Sequence, residues 1–391
     1  MRLTRRRSST KSVAIIGTRG YPSYYGGFET AVRHISPHLA SRGWDVSVYG
    51  RPGQTRPDDA GFDPRVRSVI TRGLDSTSLS TLSYGLTACV HAFFRKPDVA
   101  LVMNVANGFW LPLLRLRGIP TVVNVDGIEW HRAKWGRLAK AMFRWGATFT
   151  AKFADELVFD AEAIADFWLR EFGRTGTFIP YGGETSEPLP VEDGLTSRRY
   201  ALMVARFVPE NTISEFVEAA SDISRDYDVV LVGSAPEGSR LHAEVSELDG
   251  SNPRVHWLGH VNDDRRLYSL WQHSGAYFHG HSVGGTNPAL VQAMTLGAPV
   301  VARDTVYNRE VLADAGLYCS PEPAAIADVV RHMIENSSEY RHKAAERAAD
   351  AYTWSGVNDA YEAVLLDQLD ATAGQSSPTA PSRRVRRRPR G

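Results

Sequence analysis

His281–Ala302 reads HSVGGTNPALVQAMTLGAPVVA, and its punctuation decides the local fold. Ala276, Tyr277 and Phe278 just before it have the apolar character of a buried strand's end. A polar, glycine-bearing loop runs from His281 to Asn287. Pro288 suits the first turn of a helix, where a missing N–H costs nothing. Leu290, Val291 and Met294 give that helix an apolar face, Gly297 ends it, and Pro299-Val300-Val301-Ala302 opens another strand. Strand, glycine loop, helix and strand in this order make one βα unit of a parallel sheet. Its loop turns unpaired backbone N–H groups, at the positive end of a helix dipole, toward whatever lies above the sheet. An anion, most often a phosphate, suits that place. An ordinary tight βα turn has the same pattern, so the stretch alone leaves both readings open.

A chain of 391 residues has room for two such domains. With 43% hydrophobic and 23% charged residues, it falls in the soluble globular class. No apolar run approaches the ~20 residues needed to span a bilayer. The basic start, Met1–Lys11, lacks the apolar core and cleavage site of a signal peptide. Cys89 and Cys319 stand far apart in apolar contexts, which argues against a disulfide or metal framework and for a reducing cytoplasm. The net charge of +1 conceals an asymmetry, because residues 1–11 carry five basic side chains and the tail from Arg383 carries six arginines, with no acid in either. Without those eleven charges the body stands near −10. Basic ends on an acidic body suit reversible attachment to a polyanion, an anionic membrane or a nucleic acid. Solvated, disordered tails without a partner fit equally.

Upstream, Val13-Ala14-Ile15-Ile16-Gly17 is the continuous apolar run of a central parallel strand. A Gly/Tyr/Pro loop follows, ending Gly26-Gly27-Phe28-Glu29, and then a helix with Ala31, Val32, Ile35 and Leu39 inside, in which Pro37 predicts a kink. Val46-Ser47-Val48-Tyr49 is the next strand. This βαβ start invites a dinucleotide reading, with Arg51 near an NADP phosphate. However, Gly17 and Gly20 do not make G-x-G-x-x-G, so an NADP oxidoreductase stays a distant alternative. The strand Thr121–Val125 ends in Asp126-Gly127-Ile128-Glu129-Trp130-His131-Arg132. Polar residues at a parallel strand's carboxyl end mark Asp126 and Glu129 as site candidates, although a capping acid looks the same.

Along 130–153, Trp135, Leu138, Met142, Trp145, Phe149 and Phe153 share one helical face among many cations. Such a helix packs on its own domain or lies on a membrane surface. We expect Phe149 and Phe153 in the core and the Trp130–Trp145 end toward lipid. Val158-Phe159-Asp160 and Thr177–Pro180 close the first strand series, and a polar linker runs from Gly182 to Arg199. A second series includes Tyr200–Val204, Asp228–Val232, Val255–Leu258, the opening stretch and Gly316–Cys319, before the final helices. The expected layout is a basic 1–11, an acceptor-side domain over 12–190, a nucleotide-binding domain over 191–355, a helix over 356–370 returning to the first domain, and a disordered arginine-rich 371–391. The fold class is α/β, two Rossmann-like domains facing a cleft.

Two such domains, with Gly17-Thr18-Arg19-Gly20-Tyr21-Pro22, Tyr25–Glu29, Asp126–Trp130 with Lys134-Trp135, Ile179–Gly183, Ala205-Arg206-Phe207 with Pro209-Glu210-Asn211, and His281–Pro288, resemble the GT-B glycosyltransferases of family 4. The likeness is closer to bacterial rhamnosyltransferases of surface-polysaccharide assembly, and it covers residues 12 to about 365. The resemblance implies retaining transfer of L-rhamnose from dTDP-rhamnose to a polyprenyl-diphosphate-linked saccharide at the inner face of the plasma membrane. The enzyme would be cytoplasmic and peripheral, its basic tails and the 130–153 helix meeting anionic lipid, with no nucleic acid as partner. Glucose, mannose or N-acetylglucosamine from a UDP or GDP sugar is the alternative.

Further residue roles are implied by the same likeness. The family's members are metal-free, so no cofactor or metal is expected, and Arg206 matches the arginine that holds the diphosphate. The lysine usual a few residues on is replaced by Glu210-Asn211, with Asn211 a donor-binding candidate. Gly284, Gly285, Thr286 and Asn287 would offer N–H groups, and Gly26 and Gly27 close backbone approach. The family's Glu-x7-Glu falls on Gly284 and Gln292, leaving Gln292 as a neutral contact to a ring hydroxyl, tolerable for a deoxyribose donor. Glu310 stands where an acid often lies near the nucleotide. Asp126, backed by Glu129, would orient or deprotonate the acceptor, flanked by Trp130, His131 and Arg132.

Overall fold

The computed structural model describes residues 10–24, 26–55, 58–74, 80–132 and 135–376. Most of the basic start, the arginine tail, Tyr25 and Lys134 lie outside those residues. The first lobe runs β1 (Ser12–Ile16), α1 (Gly27–Ser41), β2 (Asp45–Gly50), β3 (Val66–Ile70), α2 (Ser80–Arg95), β4 (Val99–Met103) and α3 (Leu111–Leu116). It continues with β5 (Thr121–Asn124), α4 (Arg137–Phe153), β6 (Glu156–Phe159), α5 (Glu162–Phe172) and β7 (Thr177–Phe178). Its seven strands pair in parallel in the order β3-β2-β1-β4-β5-β6-β7. Burial on both faces explains the unbroken apolar run at β1, where Val13, Ala14, Ile15 and Ile16 are all enclosed.

The second lobe runs β8 (Tyr200–Val204), α6 (Ile213–Ile223), β9 (Asp228–Val232), α7 (Arg240–Ser251), β10 (Val255–Trp257), α8 (Asp264–His273) and β11 (Ala276–His279). Then come α9 (Pro288–Thr295), β12 (Val300–Arg303), α10 (Val306–Leu312), β13 (Gly316–Cys319), α11 (Pro323–Glu335), α12 (Ser337–Ala351) and α13 (Trp354–Ser376). Its parallel order is β10-β9-β8-β11-β12-β13. In the opening stretch Asn287 caps α9 by accepting the Ala289 N–H at 2.9 Å, and Gly297 takes the left-handed conformation, φ +68°, that stops it.

Strand order reverses at β1/β4 in one sheet and at β8/β11 in the other. A crevice opens at the carboxyl ends of strands at such a switch point, and there α/β sheets bind ligands. The loops after β1, β8 and β11 therefore hold the positions that matter. The helix α13 crosses back to the first lobe: Glu362 accepts from Trp44 Nε1 at 3.1 Å and from Arg42 Nε at 3.0 Å, and Tyr361 Oη meets Asn124 Nδ2 at 2.6 Å.

The helix α1 includes Pro37 and runs to Ser41. Two expectations for the 130–153 stretch change. First, α4 begins at Arg137; its buried residues are Phe143, Gly146, Ala147 and Thr150, while Phe149 and Phe153 are only partly buried. Gly146 lies so close to the Val105 carbonyl that a Cβ there would stand 2.6 Å from the oxygen. Leu138 and Trp145, at the end read as facing outward, are 87% and 64% exposed. Second, Trp130 is not on that helix, and it packs inward against Phe167 and Phe172. No described helix is long and apolar enough to cross a membrane.

Candidate active site between the lobes

A cleft of about 530 Å³ lies where the switch-point loops of the two sheets meet. The first lobe lines it with Gly26, Gly27, Glu29, Asp126, Glu129, Arg132 and Asp160, and the second with Arg206, Glu210, Asn211, His281 and Gly284–Asn287. A second hollow of about 500 Å³ lies against β1, β2, β3 and α2, with Arg67, His91 and Arg95 in its wall. It takes no residue from the second lobe, so only the first cleft can bring a donor and an acceptor together.

The second lobe supplies positive charge. Arg206 follows β8, and its backbone carbonyl is held by Asn211 Nδ2 at 2.8 Å. Asn211 is buried, so it fixes the loop that carries the guanidinium. Among the described residues the Arg206 guanidinium has no carboxylate partner, and no protein acceptor meets the N–H groups of Gly284 and Gly285. Those donors line the cleft together. An anion entering here finds a planar cation and free amides without prior rearrangement.

The first lobe supplies acids around one cation. Arg132 is nearly buried and pairs with Glu129 at 2.8 Å. Burial works against its charge, but Asp126, Glu129, Glu210 and Asp160 outweigh that and hold it firmly protonated. Glu129 also accepts from Trp135 Nε1 at 3.0 Å, so it is an anchor for Arg132 more than a spare base. Asp126 sits at the end of β5 with φ +57°, its N–H bonded to Asn124 Oδ1 at 2.9 Å. That left-handed turn, which asparagine and aspartate tolerate better than most side chains, places Asp126 on the cleft wall.

Several sequence-derived candidates take other roles. Thr286 gives both its N–H (3.1 Å) and its hydroxyl to the Asp160 carbonyl across the lobes, so it latches the cleft and has no amide left for a ligand. Gln292 accepts the Glu184 N–H at 2.8 Å and donates to the Glu184 carbonyl at 2.7 Å, which ties it to the interlobe linker, and it is not among the residues lining the cleft. Glu310 accepts the N–H groups of Glu162 and Ala163 at 2.5 and 3.1 Å, capping α5 of the first lobe, while its burial raises its pKa. Trp130 is enclosed in the core, and His131 is exposed beside Phe167, outside the cleft lining. Gly27 is required by the fold itself, because a Cβ would stand 2.9 Å from Tyr181 Oη. A Cβ at Gly26 would meet nothing nearer than Glu29 Oε2 at 3.5 Å, and Gly26 lines the cleft.

Two residues in the cleft were not singled out by sequence. His281 is stacked on His279 with ring centroids 4.4 Å apart, and burial together with Arg206 and Arg132 holds its pKa down to about 3, so the imidazole is neutral. Asp160 directly follows β6, 2% exposed, its pKa driven well up by burial and by the neighbouring Asp126. A polar residue at a parallel strand's carboxyl end marked Asp126, and the same signal was present at Asp160.

Two family models match the chain in tandem: a glycosyl transferase 4-like domain over residues 26–182 and glycosyl transferases group 1 over residues 190–351. An MMP alpha-(1->4)-mannosyltransferase from Mycolicibacterium hassiacum is 25% identical over 88% of this chain and 95% of its own. A GDP-mannose-dependent phosphatidylinositol dimannoside mannosyltransferase from Mycobacterium tuberculosis is 24% identical over 35% of each chain. In fold, the chain is similar to a sucrose-phosphate synthase from Thermosynechococcus elongatus (TM-score 0.74, 19% identity, 94% of this chain and 100% of that one). It is similar also to Anabaena HepE solved with UDP (TM-score 0.71, 17% identity, 91% and 100%). With the two matched domains falling on the two lobes that enclose the cleft, the chain belongs to the GT-B glycosyltransferases and is a hexosyltransferase.

Proposed function

We propose that this enzyme transfers L-rhamnose, with retention, from dTDP-rhamnose to a lipid-diphosphate-linked saccharide in cell-surface polysaccharide synthesis. The observation that carries the chemistry is the set of free donors, Arg206 with the Gly284 and Gly285 amides, facing the Asp126 wall across one cleft. The bond from the sugar's anomeric carbon to the phosphate oxygen breaks, and the acceptor oxygen bonds to that carbon on the same face. The acceptor's proton passes to the departing phosphate or to Asp126. Arg206 and the amides take up the charge that grows on the diphosphate, the part a divalent metal plays elsewhere.

The rhamnose assignment rests on the joined motifs of the sequence. The occupation of Gln292 by the linker is compatible with it, since a deoxyribose nucleotide asks for fewer hydroxyl contacts. A second reading, mannose or another hexose from a GDP or UDP sugar, is favoured by the two relatives named as mannosyltransferases. Turnover of a polyprenyl-diphosphate saccharide with dTDP-rhamnose, GDP-mannose, UDP-glucose and UDP-N-acetylglucosamine separates the two, and no turnover with any of them defeats both.

Membrane attachment belongs to the same proposal. The outward Leu138 and Trp145 of α4, with Arg137 and Lys140 beside them, suit the interface of an anionic inner leaflet. Co-sedimentation with phosphatidylglycerol vesicles, lost on Leu138→Ser with Trp145→Ser, is the check.

A further inference from the structure

Among the acids that line the cleft, Asp160 has no part in the transfer chemistry above. Asp160 is almost fully enclosed, and its Oδ1 has no hydrogen-bond partner among the described residues. A buried carboxyl oxygen left unpaired is costly, so such an atom calls for a missing partner. The carboxyl is pressed against Gly285: an alanine Cβ there would stand 2.5 Å from Oδ2 and closer still to Cγ and Oδ1. Thr286, the next residue, is bonded to the Asp160 carbonyl. Asp160 therefore stands beside the free amides that await the diphosphate, and it lines the same cleft.

We infer that Asp160 is a donor-binding residue whose carboxylic acid, through Oδ1, hydrogen-bonds an oxygen of the nucleotide sugar's diphosphate. This rests on the nucleotide-sugar reading above. The acid must carry its proton to do so, because an ionised carboxylate would meet the diphosphate as a like charge. In a low-dielectric cleft that repulsion opposes binding more strongly than it would in water. The surroundings favour the protonated form. Burial comes first, then Asp126 after β5 and Glu310 on α10, with Arg132 opposing them. The phenols of Tyr181, Tyr307 on α10 and Tyr361 on α13 also face it and add no charge at neutral pH. A bound diphosphate adds negative charge and pushes the same way.

The test is calorimetric binding of dTDP-rhamnose, GDP-mannose and UDP-glucose to the full-length enzyme without acceptor, from about pH 6 to about pH 8.5, a range in which the probes' diphosphate diesters do not titrate. Wild-type affinity for the donor it takes should fall with rising pH once Asp160 begins to ionise, by up to about tenfold for each further unit of pH. Asp160→Asn, which keeps a hydrogen-bond donor and cannot ionise, should bind with a flat profile. Asp160→Ala should bind at least about tenfold more weakly at low pH. A purely structural role would leave the wild-type and Asp160→Asn profiles parallel, and that result, or normal binding by Asp160→Ala, overturns the inference alone. No binding of any donor by wild type overturns the nucleotide-sugar reading as well.

Discussion

Gly285→Ala is the sharpest perturbation available at the cleft. The new methyl would overlap the Asp160 carboxyl, which belongs to the other lobe. Gly285 is not at a positive φ, so the backbone tolerates alanine and the whole cost falls on the contact. Forcing a methyl into a filled site costs about 1–3 kcal/mol. Here the lobes relieve it by parting, since neither sheet includes Gly285. Parting also strains the Thr286–Asp160 hydrogen bonds, worth about 1 kcal/mol each. The predicted loss in donor affinity is about 5- to 150-fold, and the strained contact also lowers stability by about 1–3 kcal/mol. Calorimetry on Gly285→Ala, Asp160→Ala and the double variant gives the coupling directly. The penalty should shrink in the Asp160→Ala background, where the colliding atoms are gone. Unchanged affinity in the single variant, or an equal penalty in both backgrounds, refutes the cross-cleft contact.

Other outcomes follow from the same geometry. Arg206→Ala should lower kcat by about 10²- to 10³-fold with stability intact, because no protein carboxylate is left unpaired, and Arg206→Lys should fall between; a near-normal kcat removes its phosphate role. Glu310→Ala should cost about 1 kcal/mol of stability by uncapping α5 while donor KM moves less than about threefold; a large KM rise would return Glu310 to the donor site. At Glu362, burial alone would raise the pKa, yet the Trp44, Arg42 and His38 contacts lower it. Its stabilisation is therefore present above the unfolded value near ~4.3 and lost as the pH falls through the lower folded one. Glu362→Gln should lower Tm at neutral pH, with the gap to wild type closing in acid; a pH-independent gap refutes the assignment.

Much of this architecture was legible because parallel strands buried on both faces write themselves as apolar runs. Val13–Ile16 and Tyr200–Val204 read directly, as did the strand–loop–helix unit from Ala276 to Ala302. The segment between Arg51 and Lys96 was not legible: β3 is an edge strand with exposed Arg67 and Ile70, so its pattern carries no clear period. At α4 the helix was readable but its inward face was not. Hydrophobic size suggested Phe149 and Phe153, which are only partly buried, whereas the tight approach to Val105 put Gly146 and Ala147 on the contact side. For the site, chain position pointed to Asp126 and the family likeness to Arg206, and both line the cleft. It could not find that Gln292 is spent on Glu184, or Glu310 on α5, because both bonds join segments over a hundred residues apart.

The division of charge between the lobes sets an order on the reaction. On the proposed function, a diphosphate is favoured where Arg206 and free amides lie and disfavoured beside the carboxyls of Asp126 and Glu129, which Arg132 offsets only in part. A donor would then seat on the second lobe, with its sugar turned toward Asp126. An acceptor hydroxyl, being neutral, pays no such repulsion and gains a hydrogen bond from the same carboxylate. On that reading the Asp126 carboxyl is both the acceptor's anchor and a barrier to the diphosphate straying across. Asp126→Asn should consequently weaken acceptor use far more than donor binding; if donor affinity fell as steeply as turnover, this division of labour would be wrong.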